Sequence, residues 1–179
     1  MHGIIFAELK KYVDARHGGD TWRTLLREAG LGAKMYVPVT EYPDAEAAAI
    51  VAAASRATGT PAQAILEDFG EFIAPDLLAM YRALVKPEWR TLEVLENTEE
   101  TIHRVVRLKN EGARPPEIRA VRTAPDEVTV HYGSERRMCG VTIGIVRGMA
   151  AHYGEQVSVR ETACMHRGAD ACEIVVRRA

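Results

Sequence analysis

Apolar residues recur at helical spacing through the first half of the chain. Ile4, Ile5, Leu9, Tyr12 and Val13 share one side of a stretch whose other side carries Lys10, Lys11 and Asp14. That pattern predicts an amphipathic helix, stopped at Gly18-Gly19. Asp20 is placed to cap a second helix over 21–29, with Trp22, Leu25 and Leu26 inward and Gly30 and Gly32 at its end. A connection with two prolines covers 35–43. Asp44 then caps an alanine-rich helix over 45–57, and Thr60-Pro61 opens another that carries Ile65, Leu66 and Phe69. From 69 to 95 the pattern stays helical, with interruptions expected at Gly70, Pro75 and Pro87. Asn97 with Glu100 three residues on reads as a capping box, opening a helix through His103 to about Lys109.

After Pro116 the period changes to two. Ile118, Ala120 and Arg122 alternate with Arg119 and Val121; after a Pro125-Asp126 turn, Val128, Val130 and Tyr132 alternate with Thr129 and His131. A helix over 141–153 ends at Gly154, and strands follow over 156–162 and 172–177. The chain is thus α/β of the α+β type: helices first, then a four-stranded antiparallel sheet crossed by a helix.

Composition narrows the reading further. At 179 residues the chain can bury the core of one domain. A formal charge of −2 gives no pull toward nucleic acid or an anionic membrane surface. No apolar run approaches the roughly 20 residues of a membrane span, and the opening Met1-His2-Gly3-Ile4-Ile5-Phe6 lacks signal-peptide features. A cytoplasmic location without nucleic-acid or membrane partners is expected. Three cysteines, an odd number, argue against a disulfide framework there. Nucleophile-elbow, P-loop and zinc-protease motifs are all missing, so no enzyme is expected.

Three groups of residues could carry chemistry. His103 sits beside Ile102 and Val106 on an apolar helix face, where an imidazole suits axial ligation of heme iron; the plain alternative is a satisfied core histidine. Glu99 and Glu100 just before it read as a solvated face. Tyr132, Ser134 and Arg136 close a strand, and on a regular strand they point one way. Two hydroxyls and a guanidinium fork suit carboxylates, against the alternative of a solvated strand end. Cys139, Cys164 and Cys172, with His166 or Glu161 as a fourth donor, make up a tetrahedral zinc set or, more blandly, three inert thiols.

In order along the chain, Met1-His2-Gly3-Ile4-Ile5, Gly19-Asp20-Thr21-Trp22, Tyr42-Pro43-Asp44, Phe69-Gly70 with Phe72, His103, Pro116 and Tyr132-Gly133-Ser134-Glu135-Arg136 resemble the heme–nitric oxide/oxygen binding (H-NOX, HNOB) domains. The resemblance covers essentially the whole chain. It implies a helical distal subdomain over 1–63 and a proximal one over 64–179, with heme b between them. His103 would be the axial ligand of the iron, and Tyr132, Ser134 and Arg136 would hold the propionates. Pro116 would press on the porphyrin, and Ile5 would line the distal face.

Oxygen-binding members carry a tyrosine in the helix after the clamp. The matching position here is Val141, and Leu9 offers no donor either, so the implied ligand is nitric oxide. Its binding would weaken the iron–His103 bond and shift one subdomain against the other. The implied reader is a histidine kinase or cyclic-dinucleotide enzyme in trans. Some members also hold zinc with three cysteines and a histidine. Cys139, Cys164 and Cys172 match that layout; Glu161 falls where the histidine would be, with His166 nearby. A cysteine or zinc redox sensor, or a heme-free module for a small apolar ligand, are the alternatives.

Overall fold

Helix α4 (Ala62–Met80) and helix α7 (Cys139–Tyr153) cross at backbone contact, and this crossing separates two cores. A Cβ added at Gly144 would lie 1.9 Å from the Glu67 carbonyl oxygen, and one at Gly70 would lie 2.3 Å from that of Val141. Gly140, Gly144 and Gly148 recur every fourth residue and so face one way. On one side of the seam, Phe6, Trp22, Leu26, Ile50, Phe69 and Ile73 form a helical core. On the other, Leu92, Val130, Ile143, Val146, Ile174 and Val176 form a core between α7 and the sheet.

The computed structural model describes residues 1–110 and 112–179. Helices α1 (Gly3–His17), α2 (Gly19–Glu28) and α3 (Asp44–Thr58) surround the first core. Helix α5 (Thr91–Asn97), a π-helical turn (Glu99–His103) and α6 (Arg104–Lys109) form one nearly continuous run. Strands β1 (Glu117–Ala124), β2 (Glu127–Gly133), β3 (Val157–Ala163) and β4 (Cys172–Arg178) pair antiparallel in the order β1-β2-β4-β3. The expected fold class, helices with a four-stranded antiparallel sheet, is what the chain adopts.

Several local expectations need correction. Asp20 and Asp44 lie inside their first helical turns rather than at the caps, where Gly18 and Pro43 stand; Pro61, not Thr60, caps α4. Helix α4 runs unbroken across Gly70 and Pro75. Pro75 has no N–H to offer the Glu71 carbonyl, and Gly148 of α7 packs against that freed carbonyl. No helix starts at Asn97. The cap-and-carboxylate pairing forms earlier, where Glu93 accepts the Arg90 N–H at 3.1 Å, and the chain winds on through Thr98. Strand β2 ends at Gly133, which leaves Ser134 and Arg136 in the turn beyond it.

Candidate functional site

A cavity of about 520 Å³ opens between the two cores, within the range of small-molecule and cofactor sites. Its wall is mostly apolar. Ile5, Leu9, Phe69 and Val141 contribute from the helical side; Val94, Ile102, Val106, Pro116 and Ile118 contribute from the other. His103, Tyr132 and Arg136 are the groups on this wall with the chemistry anticipated for them.

His103 closes the π turn, its backbone N–H reaching back to the Thr98 carbonyl at 3.0 Å. Its side chain is 14% exposed, and Nδ1 lies 3.0 Å from Glu99 Oε2, which leaves Nε2 for a ligand. Burial pushes the imidazole below its ordinary value, while Glu99 and the Pro116 carbonyl pull the other way. Glu99 is half-buried, whereas its neighbour Glu100 is exposed. Burial alone would push its carboxyl up, but Arg107, His103 and the Ile118 N–H together hold it below the usual carboxylate value.

The Tyr132 hydroxyl is buried beside the cavity and accepts the Met138 N–H at 3.3 Å; burial pushes its pKa up. Ser134 is not on the cavity wall. Its Oγ accepts the Arg136 N–H at 3.3 Å and so steadies the turn that carries the guanidinium. Arg136 donates through Nη1 to the Arg114 carbonyl. Its Nε forms an ion pair with Asp44, 2.9 Å from Oδ2. A half-buried guanidinium on the wall of an apolar cavity suits an anionic group.

Cys139, Cys164, Cys172 and Glu161 come together behind the clamp, their donor atoms all within 4.8 Å of one another. The Cys139 and Cys164 sulfurs are 4.0 Å apart, and those of Cys164 and Cys172 are 3.8 Å apart. Burial, then the neighbouring thiols and Glu161, push the Cys139 thiol up. Glu161 Oε1 is buried without a hydrogen-bond partner among the described residues. His166 stays outside: it is exposed, and its Nε2 meets the Arg137 carbonyl at 2.6 Å. The cluster touches the clamp through the sheet, since Cys172 on β4 stands opposite Tyr132 on β2.

With an imidazole, a guanidinium and a phenol around one apolar cavity, comparison with known proteins becomes informative. The family model described as HNOB, Haem-NO-binding, matches residues 2–161. The chain belongs to this family. It is a family of sensor domains, not of enzymes. The H-NOX protein from S. oneidensis, solved in the Fe(II)NO ligation state, is 26% identical, with 100% of this chain and 99% of that one covered and a TM-score of 0.93. An unliganded Fe(II) H-NOX mutant from K. algicida (20% identity, 100% and 97% covered, TM-score 0.90) and a mutant T. tengcongensis H-NOX (22%, 99% and 97%, 0.85) share the fold. No curated protein matches the sequence. No helix among the described residues is long and apolar enough to cross a membrane.

Sequence reasoning missed Glu99, Arg107 and Asp44 as parts of this H-NOX site. Glu99 was within reach: a carboxylate four residues before a helical histidine lies on the same face. Asp44 and Arg136 are far apart in sequence, and only the fold pairs them.

Proposed function

We propose that this H-NOX domain binds heme b in the cavity between its two cores and senses nitric oxide. The observation that carries the reading is a largely buried imidazole, a half-buried guanidinium and a buried phenol on the wall of one apolar cavity. When bound, the heme would supply a ferrous iron able to take a ligand from the protein and a diatomic gas. His103 Nε2 is the protein's ligand. Arg136 and Tyr132 supply donors for the propionates, with Ser134 holding the turn in place, and Pro116 and Ile5 press from the walls. Among the described residues no cysteine lines the cavity, which fits a heme held without thioether bonds.

Ligand choice follows from Val141 and Leu9, two cavity-wall side chains that carry no hydrogen-bond donor. Bound dioxygen, which carries partial negative charge, gains from such a donor, whereas nitric oxide binds ferrous heme without one. Were His103 to be released, the π turn and α6 that carry it would be freed, and residues 1–63 would shift as a helical subdomain against 64–179. The reader is a cytoplasmic histidine kinase or cyclic-dinucleotide enzyme. The test is the absorption spectrum of the purified, reduced protein. A Soret band is expected that moves to the position of a histidine-free complex on adding nitric oxide and stays put under air. No Soret band after heme reconstitution would sink the reading.

A second reading concerns the thiols. We infer that Cys139, Cys164, Cys172 and Glu161 hold zinc, as a structural ion or as a redox sensor. What supports it is three sulfurs and a carboxylate in mutual reach, with one buried carboxylate oxygen unpaired; His166 is not needed as a ligand. The protein is expected to carry about one zinc per chain, and Cys164→Ser to lose it. Metal analysis finding none in the unaltered protein rejects zinc and leaves a thiol triad.

A further inference from the structure

Glu99 places both of its oxygens on N–H donors. Oε2 lies 3.0 Å from His103 Nδ1 and accepts the Ile118 N–H at 3.2 Å, while Oε1 accepts from Arg107 Nη2. With Arg107 and the Ile118 N–H on its two oxygens the carboxylate carries no proton, so a neutral His103 ring holds its proton on Nδ1 toward Glu99 and leaves Nε2 bare. A bare Nε2 is the form a metal ligand requires, and an acceptor hydrogen-bonded to the other ring nitrogen raises its basicity. A carboxylate does this more strongly than a neutral carbonyl, because hydrogen bonds to a charged acceptor are about twice as strong.

We propose that Glu99 is a positioning residue that sets the donor strength of His103 toward heme iron, with Arg107 as the counter-charge that moderates it. The proposal rests on the heme reading above. Through the Nδ1–H, the carboxylate pushes electron density to Nε2 and so strengthens the bond that nitric oxide must break. Arg107, on the other oxygen, draws part of that density away. The pair therefore tunes how readily His103 lets go, and the Ile118 N–H keeps the carboxylate fixed to β1 while it does so.

Two variants of opposite sign test this. Glu99→Gln keeps the size and an acceptor but removes the charge; Arg107→Leu keeps the charge and removes its moderator. In the ferrous, ligand-free proteins the iron–histidine stretching frequency from resonance Raman is expected to fall in Glu99→Gln and to rise in Arg107→Leu. On adding nitric oxide, the histidine-free fraction should grow in the first and shrink in the second. General loosening of the site would move both variants the same way, so same-sign or unchanged frequencies with an intact Soret band overturn the proposal and leave the heme reading standing. No Soret band in any of the three proteins overturns the heme reading and the proposal with it. In the heme-free protein, nitrogen NMR of the His103 ring is expected to show the proton on Nδ1; a ring protonated on Nε2 alone rejects the proposal without recourse to heme.

Discussion

A His103→Ala protein is expected to lose its Soret band after heme reconstitution and to regain it when free imidazole is added. His103 contributes the one imidazole on the wall formed by α5, the π turn and α6, and a carboxylate already orients it. Removing a ligand outright should cost more than the roughly 10–100-fold that losing an outer-shell partner costs a metal site. The truncation leaves space for a small exogenous ring. His2 also borders the cavity, at the start of α1. If His2 took over as ligand, the band would persist without imidazole, and titration of heme into both proteins separates the two outcomes.

Gly144→Ala is expected to destabilise the fold by about 3 kcal/mol or more, at the upper end of what overpacking costs. The added methyl would lie 1.9 Å from the Glu67 carbonyl oxygen and 2.7 Å from the Glu71 nitrogen, both of them backbone atoms of α4 that cannot swing aside as a side chain would. Relief requires α7 to withdraw from α4, which loosens Val141 and Ile145 on one core and Ile143 and Val146 on the other. Chemical denaturation should show a lower midpoint, and heme affinity should fall with it because both walls of the cavity move. Gly154→Ala is a useful contrast, since that position has open space around it and only its left-handed backbone is at stake.

Much of this architecture was legible from periodicity. The switch from helical to alternating pattern after Pro116 located the sheet, and the spacing of Tyr132, Ser134 and Arg136 marked a polar cluster. What periodicity could not supply were features set by contact between distant segments. Gly70 and Pro75 look like breaks in isolation. They are tolerated because α7 lies against the backbone there, close to the carbonyl that Pro75 leaves unbonded. Ser134 reads as a second ligand-binding hydroxyl on a strand, but the strand stops at Gly133, and in the turn beyond it the Ser134 Oγ accepts the Arg136 N–H. Glu99 reads as solvated because charged residues on a helix start usually are. Here Arg107 on the next turns and the Ile118 N–H give its half-buried carboxylate protein partners. Glu161 and His166 were equal candidates by sequence, and only the fold separates them, placing Glu161 beside the three sulfurs and sending His166 toward Arg137.

The π turn has a consequence for the geometry of the whole cavity wall. Val94, Thr98, Ile102, Val106 and Asn110 all border the cavity, recurring at every fourth residue. At about 100° per residue, each such step overshoots a full turn by roughly 40°. A regular helix would carry Asn110 roughly 160° round from Val94, out of the cavity altogether. One extra residue wound into the turn at Glu99–His103 takes back about 100° of that drift. The wall stays in phase because the correction is made at a single place, and that place ends on His103. Tightening or widening this one turn rotates everything after it as a unit, so the residue that would hold the iron is also the setting of the dial.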